Sequence, residues 1–304
     1  MKRRTYLLGG LSALAAADAS ASAAPSHAVA RGKRSRAETI AAGLKGPALL
    51  EACVRIRGRT DGKLVFGWLE ALRSTYVQGE ITPFCGIVAG TVSRFQQISE
   101  QVWEATTIEI AHYTDPLTGQ LLEHAKMPST GRTVAVPRYR FGPTKIRFAL
   151  ALDEWEEFAP AKLASNAENF APPSAVHLVR SIGSVTATGS DIRLRTDEFG
   201  RVYPDRSKPA STFYREWMVW RADATSLAST RSPSVAADAC YSSLSGWRPW
   251  MQMDGISGHT AENGFGGKAE RLEDCPAAFL ELTARLYPDV LDNPSRALQA
   301  APRA

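Results

Sequence analysis

The sequence predicts a mainly β protein, an antiparallel sheet that is barrel-like or strongly curled, with short helices near its two ends. Three observations carry this. Between about residues 63 and 251 the apolar residues recur with a period of two, in runs rich in Val, Ile, Thr and aromatics. Short turn sequences such as Asp61-Gly62, Asp115–Gly119 and Pro128–Gly131 separate the runs. Strand–helix alternation, a Gly-rich fingerprint after a strand and a Gly-x-x-x-x-Gly-Lys loop are all missing, which argues against nucleotide-cofactor folds. A long antiparallel sheet hides its edges by curling, and a curled sheet can enclose a cavity.

The elements follow in chain order. Residues 1–24 read as a Tat-type export signal: Arg3-Arg4, an apolar stretch from Leu7 to Ala17, and small residues that place cleavage after Ala23 or Ala24. This implies a periplasmic protein handled by the Tat machinery. The apolar stretch is too short for a membrane span, and no later segment is apolar enough. Residues 25–40 read as a basic flexible linker, residues 41–295 as a single mainly-β domain and residues 296–304 as a flexible tail. Without the leader the formal charge falls from +5 to +3, with 33 basic against 30 acidic residues, so the basic character gives no case for nucleic acid. Residues 37–55 are helical in two pieces, split at Gly46-Pro47. Strands are predicted at Lys63–Glu70, Thr75–Gln78, Ile87–Ile98, Val102–Tyr113, Thr133–Tyr139 and Ile146–Leu150. A short helix and loop are predicted from Leu152, then strands at Val176–Thr188, Ile192–Thr196, Phe213–Arg221 and Cys240–Met251. Pro276 opens a helix. The four cysteines have no metal-ligand spacing; a Cys240–Cys275 bridge and buried free thiols are both open.

Three stretches could carry chemistry. In "VWEATTIEIAHYTDP" alternation puts Glu104, Thr106, Ile108, Ile110 and His112 on one face and Trp103, Thr107, Glu109 and Tyr113 on the other. His112, on an apolar face, is either a proton-transfer group or a hydrogen-bonded structural histidine, whereas His124 beside a turn is expected to be exposed. In "STFYREWMVWRAD" Tyr214, Glu216, Met218 and Trp220 share a face. A carboxylate at Glu216 among large rings needs a partner such as Arg180 or Arg138, or its pKa rises toward the range useful for proton transfer. In "SGWRPWMQMDGISGH" Trp247, Trp250, Met251 and Met253, with Arg248 and His259, either wall a pocket or fill the core. Without a Gly-x-Ser-x-Gly or a His-Glu-x-x-His, a nucleophile-elbow hydrolase and a local metal motif are not indicated.

The turn motif Tyr113–Gly119, the Pro-x-Thr-Gly turn at Pro128–Gly131 and the block Trp247–Met251 resemble the bacterial and fungal domain-of-unknown-function family numbered 1838. The likeness covers roughly residues 50–290. Members of that family often carry Tat leaders, so the resemblance implies an exported single-domain protein; it implies no settled reaction. The chain departs from the family pattern at Met127 and at Ala125 or His124, where Asn and Trp are expected.

The leading functional expectation is an exported, cofactor-independent lyase or isomerase acting by general acid–base chemistry on a small apolar or aromatic molecule in a barrel cavity. His112 or Glu216 would move the proton and Tyr214 or Tyr139 would orient or donate. An arginine such as Arg138 would hold developing negative charge. Arg180, Trp220, Trp250, Met251 and His259 are candidate substrate contacts; no metal and no cofactor are expected. The alternative is a periplasmic carrier that binds an apolar ligand without changing it. A third reading, an envelope assembly partner, predicts a large exposed apolar patch instead of a cavity. Oligomeric state is not legible.

Overall fold

The computed structural model describes residues 34–151, 154–158, 175–203, 212–229 and 231–299, with side chains described outside 150–182 and 202–212. The export leader read in residues 1–24 lies outside the described residues. Helix α1 (Arg36–Gly43) starts within the segment read as linker. Ser35 and Glu38 form a reciprocal capping box there, Ser35 Oγ accepting from the Glu38 amide and Glu38 accepting from the Ser35 amide. Helix α2 (Gly46–Arg57) carries Pro47 in its first turn, where the missing N–H is harmless.

The chain then forms β1 (Leu64–Val77), β2 (Glu80–Ser99), β3 (Val102–Thr114), a hairpin of β4 (His124–Lys126) and β5 (Thr133–Ala135), β6 (Tyr139–Ala151), β7 (Glu154–Phe158), β8 (Ala175–Thr188), β9 (Asp191–Tyr203) and β10 (Thr212–Asp223). Helix α3 (Ala224–Ala228), β11 (Ala237–Ser245) and β12 (His259–Ala269) follow. Helices α4 (Ala277–Leu286), α5 (Pro288–Asp292) and α6 (Pro294–Gln299) close the sequence. Ten strands make one antiparallel sheet in the order β7-β6-β3-β2-β1-β12-β11-β10-β9-β8. The sheet is strongly curled into a half-barrel, as the turn-linked period-two pattern predicts. β12 returns beside β1, so the first and last long strands join the two halves, with Arg73 opposite Glu262.

Alternation gives the sheet an inner and an outer face. On the outer face, Phe279, Val290 and Leu298 of α4–α6 pack on Phe66, Val92, Ile108 and Ile110. One end of the interior is closed by the N-terminal helices, with Leu50, Cys53 and Val54 packed among Phe95, Phe148, Leu194 and Trp220. The other end is closed by the β4–β5 hairpin and by Met251 and Met253. Each of these layers removes apolar surface from water at about 25 cal/mol per Å².

The two turns around His124 are built alike. Gly119 donates to the Asp115 carbonyl at 2.8 Å and Gly131 to the Met127 carbonyl at 2.8 Å, and both glycines have positive φ, 70° and 66°. In the first, Asp115 Oδ1 accepts from the amides of Leu117 and Thr118 at 3.0 and 2.8 Å. The turns are therefore scaffolding: they fold the hairpin whose Met127, fully buried, stoppers the barrel.

The structure corrects several expectations. Glu154–Phe158 is an edge strand paired with β6, where a helix was expected. Lys63–Glu70 and Thr75–Gln78 are parts of one strand, β1, apart from the end residues Lys63 and Gln78, and Thr133–Tyr139 divides between two. Cys240–Met251 ends as a strand at Ser245 and finishes in a single 3₁₀ turn, Pro249–Met251. Residues 296–299, read as tail, belong to α6, whose Ala297 and Leu298 are buried. β12 went unpredicted because "HTAENGFGGKA" is glycine-rich, and glycine has low strand propensity. Yet close strand approach requires it: a Cβ at Gly264 or Gly266 would stand 2.2 Å from a β1 carbonyl oxygen. None of the cysteines forms a disulfide among the described residues; Cys53, Cys85 and Cys275 are buried and Cys240 is exposed.

Candidate functional site

The curled sheet wraps a partly open cavity of about 290 Å³. That is about twice the ~150 Å³ cavity known to hold benzene. Its apolar wall comes from Leu69, Phe95, Phe148, Met218 and Trp220; its polar wall from Thr91, Thr107, Glu109, Glu198, Glu216 and Tyr241. The residues come from strands far apart in sequence, and the pleat alone brings them together: Glu109 on β3, Glu198 on β9, Glu216 on β10 and Tyr241 on β11.

Glu216 lies deep in the fold, and the surface it retains faces the cavity. Burial pushes its pKa up to about 7; the negative fields of Glu109 and Glu262 add to this, while Arg248 and a hydrogen bond from Tyr241 act against it. Tyr241 Oη lies 3.3 Å from Glu216 Oε1 and 3.3 Å from Glu262 Oε2, so one hydroxyl links two carboxyl groups. Glu262 stays ionised, its pKa lowered despite burial because Arg73 lies against it, with Arg73 Nε donating at 2.7 Å. Arg73 itself is buried over the ring of Tyr113, 5.0 Å away. A chain results: Glu216, Tyr241, Glu262, Arg73. When Glu216 carries a proton it can donate to Tyr241, which donates to the Glu262 carboxylate. The 3.3 Å links are longer than the usual 2.7–2.8 Å for O–H···O, as in many acid–base sites awaiting a substrate.

Glu109 is the second raised carboxyl, again through burial, opposed by a hydrogen bond from Tyr139 and by the charge of Arg248. Glu198 sits directly opposite Glu216 in the β9–β10 register, where two like charges repel. Trp220 is 92 % buried (8 % exposed), and its indole N–H has no partner among the described residues. No group of three or more His, Cys, Asp or Glu able to hold a metal occurs among the described residues.

Of the residues singled out from sequence, the structure brings Glu216 and Trp220 into the cavity wall and Tyr139 onto Glu109 behind it. Tyr214 is on the same inner face but lies flat over Gly200, away from the wall. Trp250 and Met251 fill the closed end, Trp250 stacking on Phe84 with centroids 6.0 Å apart. His259 stacks on Tyr76 at 4.9 Å.

His112 is separated from the cavity by the thickness of the sheet. It points outward under α4, Nε2 2.9 Å from Thr283 Oγ1, between the rings of Phe279 and Tyr287. Burial lowers its pKa to about 4, which keeps it neutral. Arg138 is exposed and lines an outer crevice with His112 and Leu286, so it is no partner for Glu216. Arg180 pairs with Phe199 on β8, and its side chain lies outside the described ones. The arginines that act on Glu216 are Arg248 and, through Glu262, Arg73.

Sequence reasoning missed Glu109, Glu198, Tyr241, Glu262 and Arg73 as site residues. For Glu109 a signal was present: alternation had already set this single carboxylate on one face with Trp103 and Tyr113. Glu262 and Tyr241 carried none, since the strand of one was unrecognised and the other heads a serine-rich run.

No protein-family model matches the chain, and no curated protein is detectably similar to it. The fold is a curled antiparallel half-barrel with an interior cavity lined by rings and carboxyl groups, and among the described residues no helix is long and apolar enough to cross a membrane.

Proposed function

We propose that the protein is an exported, cofactor-independent acid–base enzyme of the lyase or isomerase type. Its substrate is a small, ring-bearing molecule held in the interior cavity. The observation that carries this reading is Glu216: a carboxyl whose pKa is raised to about 7, on the wall of a partly open interior cavity of ligand size. At neutral pH such a group is populated in both forms, so it can take a proton from carbon and return it without a large uphill step. In an isomerisation Glu216 removes a C–H proton beside an electron-withdrawing group and the same proton returns at a neighbouring atom. In an elimination Glu216 takes the C–H proton, the C–H pair becomes the new double bond, and the leaving group departs with the pair of its own bond to carbon. Tyr241 orients the Glu216 carboxyl, and Arg248 offsets the negative charge that develops nearby. His112 takes no part in this scheme. Membership of the domain-of-unknown-function family numbered 1838 belongs to the same proposal, carried by the two turn motifs and the Trp247–Met251 block.

The test is to recover whatever small molecule co-purifies with the protein and incubate it in D₂O with wild type, Glu216→Gln and His112→Gln. The expected result is deuterium incorporation or conversion by wild type and His112→Gln, with a loss of about 10²-fold or more in Glu216→Gln. A molecule returned unlabelled and unchanged by wild type indicates a carrier. Turnover that survives Glu216→Gln refutes the assignment.

A further inference from the structure

The interior cavity has two unlike ends. Along β10 the inner face carries Glu216, Met218 and Trp220, so the carboxyl and the indole lie four residues apart, about 13 Å between Cα atoms. Tyr241 bonds to Glu216 at one end. At the other, under α2, Trp220 stands with Phe95 and Phe148, whose ring centroids are 5.6 Å apart. This ring-lined end holds one unanswered polar group. The Trp220 indole N–H is buried beyond the reach of water, and no group among the described residues accepts from it. Buried donors are almost always paired, because an unpaired one has given up its hydration for nothing. The neighbouring strands supply no acceptor: Trp220 faces Leu194 on β9 and Ala239 on β11. They supply room instead. Beyond Ala239 the next inner residue is Gly266 on β12, so two small residues in a row leave the cavity hollow beside the indole. The χ2 torsion of an aromatic side chain is soft, and a small turn of the ring carries the N–H toward that space.

We infer that the molecule this cavity takes is an elongated, neutral, two-ring compound with an oxygen acceptor, such as a ketone carbonyl, at the end remote from Glu216, and that the Trp220 indole N–H donates to that oxygen. The inference rests on the reading of the interior cavity as the site and adds the shape and polarity of its occupant. Two rings follow from the volume of about 290 Å³, about twice that of a cavity known to hold benzene. An acceptor follows from the unpaired donor. Neutrality follows from Glu109 and Glu216 on the wall, which disfavour an anion, while Arg57 at the ring-lined end is engaged on the face of Phe148, 5.0 Å from its centroid. The contact has a consequence for the chemistry: with one end of the molecule fixed at Trp220, the length of the molecule decides which C–H bond lies against Glu216.

The experiment uses probes of one shape that differ in a single group: 2-acetylnaphthalene, whose carbonyl accepts a hydrogen bond, 2-isopropenylnaphthalene, whose methylene does not, and 2-naphthoate, which is charged. Binding to the full chain is measured by calorimetry at pH 7.5, and the indole N–H resonances are followed by ¹H–¹⁵N NMR. The acetyl compound is expected to bind at least about fivefold tighter than the isopropenyl compound, and the naphthoate most weakly. One indole N–H resonance moves downfield with the acetyl compound and not with the isopropenyl one, and Trp220→Phe removes that resonance. The same variant abolishes the acetyl preference and leaves isopropenyl affinity within about twofold. The comparison of the two neutral probes in the wild type stands even if the variant fails to fold. Equal affinity of those two, or a preference that persists in Trp220→Phe, overturns the Trp220 contact while leaving the cavity reading intact. Tightest binding of the naphthoate overturns the neutral acceptor in the same way. Failure of all three to bind, and of acetophenone and α-methylstyrene as their one-ring counterparts, overturns the cavity reading and this inference together.

Discussion

His112 is buried and Glu216 lies deep in the fold, and both are titratable and predicted from alternation, yet they stand on opposite faces of the same sheet and meet opposite surroundings. Burial drives both toward their neutral forms, His112 down to about 4 and Glu216 up to about 7. Around His112 the space is filled: Thr283 meets its ring nitrogen, and Phe279 and Tyr287 pack on either side. Around Glu216 there is an open volume, and a tryptophan indole N–H on its wall has no acceptor among the described residues. A perturbed pKa does not distinguish a structural group from a working one; room beside it does.

The comparison can be broken in several places. The largest effect is expected where the inner face depends on an ion pair. Arg73→Met leaves Glu262 buried without its cation and should destabilise the protein by about 3–5 kcal/mol, seen as a lower midpoint in urea unfolding. The double variant Arg73→Met with Glu262→Leu should recover much of that loss, since neither charge of the pair is then left buried alone.

Next comes the acid limb. His112 has a folded-state pKa below its unfolded value of 6.5, so its contribution is present above pH 6.5 and is lost as pH falls toward 4. The full loss is on the order of 3 kcal/mol. His112→Gln should abolish that slope. Glu216 runs the other way, with a folded pKa above its unfolded 4.5, so its contribution is present below 4.5 and is lost as pH rises through 7. Glu216→Gln should therefore stabilise the protein at pH 8 relative to pH 5, read from denaturant midpoints at the two values.

The smallest effects test packing directly. A Cβ at Gly90 on the outer face would meet the Phe279 ring at 2.4 Å, so Gly90→Ala should cost about 1–3 kcal/mol by overpacking. Ala239→Leu on the inner face projects into the cavity and should be neutral or stabilise by about 0.5–2 kcal/mol, while abolishing ligand binding. If Gly90→Ala were tolerated and Ala239→Leu strongly destabilising, the assignment of filled and hollow faces would be reversed.

Much of the sheet was legible in advance because period two and turn chemistry are local signals. Val102–Tyr113, Val176–Thr188 and Phe213–Arg221 each lie within an observed strand. β12 escaped because its glycines answer to the closeness of β1, a demand made across nearly 190 residues of chain (Arg73 to Glu262) and invisible in any short window. The site divides along the same line. Glu216 and Trp220 could be placed on one face from their own strand, but which face is inner depends on what covers the other. The C-terminal helices made that choice for β3, sending His112 out and Glu109 in. The partner of Glu216 was sought among arginines because charge pairing is the usual answer; the structure supplies a tyrosine hydroxyl.

The most direct measurement is a ¹³C NMR titration of the Glu216 side-chain carboxyl, assigned by its loss in Glu216→Gln, between pH 4 and 9. The account predicts a single transition near pH 7 in the protein. A transition near the ordinary 4.5 would mean that the carboxyl is hydrated or firmly paired, and the account of a buried proton-exchanging site would be wrong.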